Sequence, residues 1–371
     1  NENSHFDRSS IDCGDFTGQG TLCLSGDWIA EAAIWVRDWH TRGLMECYKE
    51  AELISIDRTR FQIACGRNGK IQILMSAYTK SYADLLQNKR ESELSDVTPP
   101  VDHPVVVMNM DTRDRMVAAE PVLLQLRSEE RGVFSLKSRP KKGVDVLENE
   151  VKNGECGLMI DRCGNASRIA FVVLVRAERS DGLVLVQVAK FSDGHVTSKL
   201  QMPATKIKDG EHVTDAAERI IKKNLAQFGG AQSKGKHTQD VFVKSTEGYG
   251  MDTLFYRTEI LVPFEKSDIT PPVINYSDLV TRTHISFLPK QLSRSKFEAA
   301  NPLADSLPAE LYFVRSGPAS GTVYAWMSDA TFALLGEPEH HKTLDDYVAC
   351  LEIPATVEKD LGSGQHILVD F

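Results

Sequence analysis

The sequence predicts an α+β protein, and three patterns lead to that prediction. Apolar residues recur at three- and four-residue steps from Ile71 to Leu85, which is typical of an amphipathic helix. From about residue 158 onward, apolar stretches typical of β-strands follow one another, beginning with RIAFVVLVRAE and GLVLVQVAKF. A second helical stretch, TDAAERIIKKNLAQF, lies between these strands and later ones. Strands on both sides of a helix indicate a domain that mixes the two kinds of element.

The other elements follow from shorter patterns along the chain. TLCL and two stretches at about 44–48 and 52–56 favour short strands. After the first helix, HPVVVMNM favours a strand and AAEPVLLQLRSEERG a broken helix. Strands are also predicted at KLQMPATK, TLFYRTEILVPF, AELYFVR and TVYAWM, and short helices at SDATFALLG and LDDYVACLE.

Length and composition bound the number of domains and the class of partner. With 371 residues, the chain is longer than one typical domain. We predict a first domain over 1–95, a linker over 96–157 and a second domain over 158–371. The net charge of −9 and the lack of basic clusters, apart from KSRPKK, disfavour a nucleic-acid-binding protein.

Cysteine usage indicates the compartment and disfavours two kinds of site. The seven cysteines are scattered along the chain and form no C-x-x-C pair. This pattern predicts neither a disulfide framework nor a metal site, and it favours a cytoplasmic location. No apolar run is long enough to span a bilayer, so these residues are expected to lie in water.

The first candidate site lies in GDWIAEAAIWVRDWHTRG, residues 26–43, where Glu31 and Arg42 stand among three tryptophans. The carboxylate of Glu31 is of the type that accepts hydrogen bonds from ribose hydroxyls. The guanidinium of Arg42 can bind a phosphate with two parallel hydrogen bonds. The residues alone leave an alternative open, which is an internal ion pair between Glu31 and Arg42 with the tryptophans in a core.

The same stretch resembles the phosphate-binding cassette of cyclic-nucleotide-binding domains, and LMECYKEAELISIDRTRF resembles the strands that follow that cassette. The resemblance implies a partial β-roll with C-terminal lid helices. It also implies that cAMP or cGMP is the ligand, and it assigns the binding to five positions: Gly26, Ala30, Glu31, Arg42 and Gly43. The function implied is that of a cytosolic regulatory segment, the C-terminal tail of a cyclic-nucleotide-regulated or voltage-gated cation channel of the potassium type.

Further expectations about partners depend on that resemblance. Contact with a membrane is expected through an upstream channel region alone, and homo-oligomerisation through the parent channel. No cofactor other than the cyclic nucleotide is expected.

The second candidate site lies in LQMPATKIKDGEHVTDAAERIIKKNLAQFGG, residues 200–230. A loop that carries KDGE runs into a helix, and Arg219 follows Glu211 by eight residues. A loop that leads into a helix N-terminus is typical of sites that hold a phosphate group.

This spacing resembles the Nudix box, with Glu211 at its first glutamate and Arg219 at its arginine. The resemblance implies a Nudix-like α/β/α sandwich. The acids that hold Mg²⁺ in the box fall on Ile220, Lys223 and Asn224, and a lysine repels the metal. We therefore predict a degenerate domain that has no catalytic residues and is not an enzyme, with Glu211 and Arg219 as a structural pair.

Two alternative functions remain open. One is a divergent Nudix-type nucleoside-diphosphate hydrolase that recruits acids from elsewhere, such as Glu247 or Glu259. The other is a structural or scaffold protein in which neither site binds a ligand.

Overall fold

The computed structural model describes two compact units, Asn1–Ala118 and Ala119–Phe371. The described residues are 23, 27–42, 44–47, 50, 52–97, 101–131, 143–160, 164–192, 195–228, 237–246, 249–264, 273–275, 303, 307–308, 310–317 and 320–349.

The described part of the first unit is helical. Its elements are α1 (Ala32–Trp35), α2 (Arg58–Gly66), α3 (Gly69–Gln87), a 3₁₀ turn (Glu91–Glu93), α4 (His103–Asn109) and the start of α5 (Thr112–Arg131). No strand occurs among the described residues from 23 to 118. The partial β-roll predicted for this region is therefore not shown.

Local strand predictions in this unit are also corrected. Described residues 44–47 and 52–57 form no strand, and HPVVVMNM forms helix α4 instead of a strand. Pro104 in the first turn of α4 explains the second difference, because its fixed φ suits a helix start, where its missing amide is not needed. Apart from Cys23, the strand predicted at TLCL lies outside the described residues.

Helix α3 organises the core of the first unit. The side chain of Asn68 caps the helix by accepting a hydrogen bond from the amide of Lys70 at 3.0 Å. Tyr82 is fully buried, and the neighbouring Ser81 hydroxyl donates to the Val106 carbonyl of α4 at 2.8 Å. The helix that the apolar periodicity predicts is confirmed.

The second unit contains an open, mostly antiparallel sheet of ten described strands. They are β1 (Gly157–Ile160), β2 (Ala166–Arg179), β3 (Val184–Ser192), β4 (His195–Gln201), β5 (Ala204–Lys206), β6 (His237–Thr246), β7 (Met251–Phe264), β8 (Val273–Asn275), β9 (Glu310–Gly317) and β10 (Ser320–Met327). The strand order is β6-β7-β2-β3-β10-β9-β8; β1 and β5 also pair with β2, and β4 pairs with β3. Among the described pairs, β2 and β7 run parallel. The predicted α+β class is confirmed.

Helices pack on both faces of this sheet. α7 (Val213–Ile220) packs on one face, and α8 (Asp329–Gly336) and α9 (His341–Ala349) pack on the other. α7 continues through a π-helical turn (Ile221–Leu225) and a 3₁₀ turn (Ala226–Phe228), and a further helix, α6 (Val144–Lys152), precedes β1. Because side chains alternate along β3, Val184 and Val186 pack with α8 and α9, whereas Leu185 packs with α7.

Most strong patterns in the second unit are confirmed, whereas weaker ones differ. The predicted stretches form β2, β3, β7, β9, β10 and helices α7 to α9. Helix α6 and strands β1, β6 and β8 were not predicted, and α5 runs unbroken through Pro121. Residues 96–157, predicted as a linker, contain α4, α5 and α6. The division into 1–95, 96–157 and 158–371 stays a prediction.

Helix length and hydropathy bear on membrane insertion. None of the helices in the described ranges is both long enough and apolar enough to cross a bilayer.

Gly154→Ala is expected to destabilise the second unit by about 2–4 kcal/mol. Gly154 has a φ of +71°, and a Cβ atom there would lie 2.5 Å from Asp209 Cβ in the loop before α7. Gly164 is the matched control, since its φ is +82° but a Cβ atom there would have no other atom within 4 Å. Gly164→Ala should therefore cost only the left-handed penalty of about 1–2 kcal/mol. Urea unfolding measures both, and equal losses would contradict the contact.

Candidate functional site

Arg219, in the last turn of α7, joins three segments of the second unit. Its Nε and Nη2 atoms donate to the two carboxylate oxygens of Glu211, each at 2.8 Å. Its Nη1 donates to Thr205 Oγ1, and its Nη2 also donates to the Lys206 carbonyl, both at 2.9 Å. We call this set of contacts the Arg219 fork. It connects the loop 207–212, strand β5 and helix α7.

The local sequence explains why these groups meet. Strand β5 pairs with the central strand β2, which fixes its position. A turn follows, in which the amide of Glu211 donates to the Lys208 carbonyl at 3.1 Å and Gly210 adopts a φ of +68°. Helix α7 then packs its apolar face on the sheet, and its side chains lean toward its N-terminus. Arg219 therefore points back toward the loop.

The Arg219 fork stabilises both charges. Hydrogen bonding from Arg219 lowers the pKa of the Glu211 carboxyl, and Glu211 in turn raises the pKa of Arg219. Both side chains are half-buried, so salt screens them less than a fully exposed pair. Thr205 stands where the Nudix box has a glycine, and its hydroxyl supplies a hydrogen bond that a glycine cannot.

The positions of the three box acids do not fit a divalent cation. Ile220 is buried in the core beneath α7, Lys223 is exposed, and Asn224 hydrogen-bonds with buried Tyr324. Mg²⁺ requires hard oxygen ligands, usually carboxylates, and these three side chains include no carboxylate. Within the described ranges, no group of three His, Cys, Asp or Glu side chains is arranged to hold a metal ion.

Among the described residues, the acids considered from the sequence as replacements do not supply the missing metal-binding carboxylates. Glu247 lies outside them, and Glu259 lies on β7. Ile260, the next residue, packs in the core against α7. Because neighbouring side chains alternate between faces, Glu259 projects from the opposite face of the sheet.

A second charged cluster lies beside the fork and was missed from the sequence. Glu150 Oε1 accepts hydrogen bonds from Tyr249 Oη at 2.7 Å and Lys206 Nζ at 2.8 Å. Glu150 Oε2 accepts from Arg168 Nη2 at 2.6 Å and Nε at 3.1 Å. We call these four residues the Glu150 cluster. Lys206 gives its carbonyl to the Arg219 fork and its ammonium to the Glu150 cluster, so a single residue joins the two.

Burial and charge act in opposite directions in the Glu150 cluster. Burial raises the pKa of the Glu150 carboxyl, but hydrogen bonds from Lys206, Tyr249 and Arg168 outweigh it and lower the pKa to about 2. Burial raises the pKa of the nearby Cys156 thiol to about 11, so it is a neutral thiol rather than a nucleophile. In the sequence, the one pattern that indicates where Glu150 lies is VDVLENEVK, whose apolar spacing is that of a short amphipathic helix.

Glu31, the predicted ribose acceptor, is 9% exposed, and its carboxylate binds side chains of the first unit. Its Oε1 accepts a hydrogen bond from Trp35 Nε1 at 3.0 Å, and its Oε2 lies 3.2 Å from His103 Nε2. Tyr78 Oη shares a hydrogen bond with His103 Nδ1, and burial raises the pKa of the Tyr78 hydroxyl. The carboxylate is therefore buried against a half-buried aromatic cluster of Trp35, Tyr78 and His103.

The other residues of the first motif gather around Asp96. The Arg42 amide donates to the Asp96 carboxylate, and the Arg42 guanidinium pairs with Glu91 at 3.2 Å. Trp39 Nε1 donates to the same carboxylate at 2.8 Å, and the amide of Ala30, at a φ of +53°, donates to the Asp96 carbonyl at 2.7 Å. Asp96 therefore holds the segment from Ala30 to Arg42 against the residues that follow α3. Gly26 and Gly43 lie outside the described residues.

Comparisons with known proteins gave solved structures only, since no family model and no curated protein matches. A NUDIX hydrolase from Nitrosomonas europaea has a TM-score of 0.23 and 15% identity, over 51% of this chain and 94% of its own. The E. coli dihydroneopterin triphosphate pyrophosphohydrolase has a TM-score of 0.21 and 12% identity, over 48% and 94%. An ADP compounds hydrolase has a TM-score of 0.22 and 12% identity, over 51% and 80%. TM-scores this low assign neither a fold nor an activity.

Two predictions from the sequence are corrected. The prediction of a cyclic-nucleotide-binding domain in a channel tail is wrong, because described residues 23–118 form no strand, and none of the three solved structures named above is a cyclic-nucleotide-binding protein. The prediction that the chain is not an enzyme is also corrected, because it is not supported. It was drawn only from Ile220, Lys223 and Asn224, and the solved structures named above are those of hydrolases.

Glu150→Gln is expected to destabilise the second unit by about 3–5 kcal/mol, because Arg168, 3% exposed, loses its buried counter-charge. Glu155→Gln is the matched control. Glu155 pairs with Lys206 at 3.0 Å but is half-exposed, so its loss should cost less than about 1 kcal/mol. Urea unfolding at neutral pH measures both variants. Equal losses would contradict the role of the buried charge.

The Glu150 cluster should also make stability depend on acid. The folded-state pKa of about 2 lies below the ordinary 4.5, so the contribution is complete above pH 4.5 and is lost as the pH falls toward 2. Over this window, wild type should lose about 2 kcal/mol more than Glu150→Gln does. Unfolding free energies measured across the window provide the test, and parallel curves for the two proteins would be the contrary result.

Proposed function

We propose that the second unit is a divergent Nudix-type hydrolase that cleaves a nucleoside-diphosphate-linked compound. The observation that carries this proposal is the Arg219 fork. Glu211 and Arg219, at the spacing of the Nudix box, bind each other through two hydrogen bonds and fix the loop before α7. Helices on both faces of the sheet, as in an α/β/α sandwich, give further support.

The fork places this loop at the N-terminal end of α7. The side chain of His212, at the N-cap, makes no capping hydrogen bond. The first-turn amides and the helix dipole favour a negatively charged group at such an end. We therefore expect the diphosphate of the substrate to bind against the loop and the start of α7, where a rigid loop would hold it for attack by water.

The replaced acids also change the charge beyond the C-terminal end of α7. Lys223 is exposed there, at a position where the box has a carboxylate, and its ammonium repels a cation. A divalent ion is not assigned to Ile220, Lys223 and Asn224, because their side chains do not fit it. Binding of the diphosphate by this chain therefore depends on its own amides and cationic side chains.

The test is hydrolysis of a panel of nucleoside-diphosphate-linked compounds, with ADP-ribose among them, by the purified chain. Release of the nucleoside monophosphate is followed by chromatography, in Mg²⁺ and separately in a chelator. Wild type should turn over at least one compound, and Glu211→Gln should lose about hundredfold in rate, as expected for a small displacement of a positioning loop.

Glu218→Gln is the matched control for this assay. Glu218 lies on the exposed side of α7 and pairs with Lys222 at 2.9 Å, away from the fork. Its loss should leave turnover unchanged. Failure of wild type to act on any compound, or an equal loss in Glu218→Gln, would contradict the proposal.

A further inference from the structure

Strand β6 presents an apolar centre at the edge of the described sheet. It pairs with β7 and stands at the end of the strand order. Residues 237–244 are all exposed, with Val241 at 54%, Phe242 at 37% and Val243 at 63%. An exposed apolar edge strand offers its backbone groups to another strand. The identity of that strand can be argued from the charges that flank this centre.

Opposite charges lie symmetrically about Phe242. Asp240 is two residues before it and Lys244 two residues after it. Because side chains alternate, these three lie on one face of β6, and Val241 and Val243 lie on the other. In an antiparallel pair of two copies centred on Phe242, Asp240 of each copy faces Lys244 of the other, and Val241 faces Val243. A parallel pair in register would set each charge against its own kind.

Contacts with β7 hold this face of β6 in place. Arg257 donates to both carboxylate oxygens of Asp240, at 2.8 and 2.6 Å, and its guanidinium lies 5.3 Å from the centre of the Phe242 ring. Phe242 also stacks on Phe255, with ring centres 5.2 Å apart. Since these side chains are ordered before association, less conformational entropy is lost when a second strand binds.

We propose that two copies of this chain associate through β6, as an antiparallel strand pair centred on Phe242 that continues the sheet from one copy into the other. Opposite charges directly across the pair, with the valine and phenylalanine contacts between them, stabilise it. A shift of register by two residues would move Asp240 away from Lys244 of the other copy, so the charge pairs favour the symmetric register. The partner is a second copy because the sequence of β6 complements itself.

Light scattering during size-exclusion chromatography of the full chain, over a series of concentrations, tests the proposal. Wild type should form a dimer whose fraction rises with concentration. Asp240→Lys and Lys244→Asp each place like charges in both cross-strand pairs, and each should weaken dimerisation by about tenfold or more. Lys342→Asp, at an exposed position on α9, makes the same charge change as Lys244→Asp and should leave dimerisation unaltered.

A mixing experiment separates strand pairing from a general effect of charge. Asp240→Lys and Lys244→Asp have complementary β6 strands, so an equimolar mixture should form a heterodimer although each alone is mainly monomeric. Val243→Lys, at an exposed position outside the charge pattern, should also weaken the dimer and does not disturb the Asp240–Arg257 pair. A wild type that stays monomeric, or a dimer unaffected by Lys244→Asp and Val243→Lys, would overturn the proposal.

Discussion

The Arg219 guanidinium is the group on which the candidate site depends. It binds the Glu211 carboxylate with two hydrogen bonds and reaches a hydroxyl and a carbonyl on β5 with the others. A planar guanidinium presents its donors in a fixed geometry that the single ammonium of a lysine cannot reproduce. Through these bonds, one side chain links the loop before α7 to both the strand and the helix.

This link continues into the interior through Lys206. Its carbonyl belongs to the fork and its ammonium to the Glu150 cluster, where buried Arg168 also binds. Buried charges are costly unless each has partners, and here the hydrogen bonds of Glu150 satisfy both cations. The result is a connected set of charges that joins α6, β2, β5 and α7. Such networks fix geometry more than they add stability.

The sequence predicted the parts of this structure whose signal is local. The periodicity of α3 and the long apolar stretches of β2 and β7 repeat one pattern over many residues, so they are read correctly. HPVVVMNM was misassigned because a short apolar run does not distinguish a strand from a helix, and β6 was missed because its apolar centre is brief. Glu211 and Arg219 were found by spacing. Glu150 was not, because its partners come together only through the sheet. The first motif gave the wrong prediction of a cyclic-nucleotide-binding domain. GDWIAEAAIW also suits a short helix, in which Glu31 binds Trp35 four residues later.

A double-mutant cycle on Glu211 and Arg219 tests the central claim most directly. The free energy of unfolding is measured for wild type, Glu211→Gln, Arg219→Lys and the double variant. If the fork fixes the loop, the two residues act as a unit and the coupling energy should be about 1–3 kcal/mol. A coupling near zero would show that Glu211 and Arg219 contribute independently, and would contradict the account.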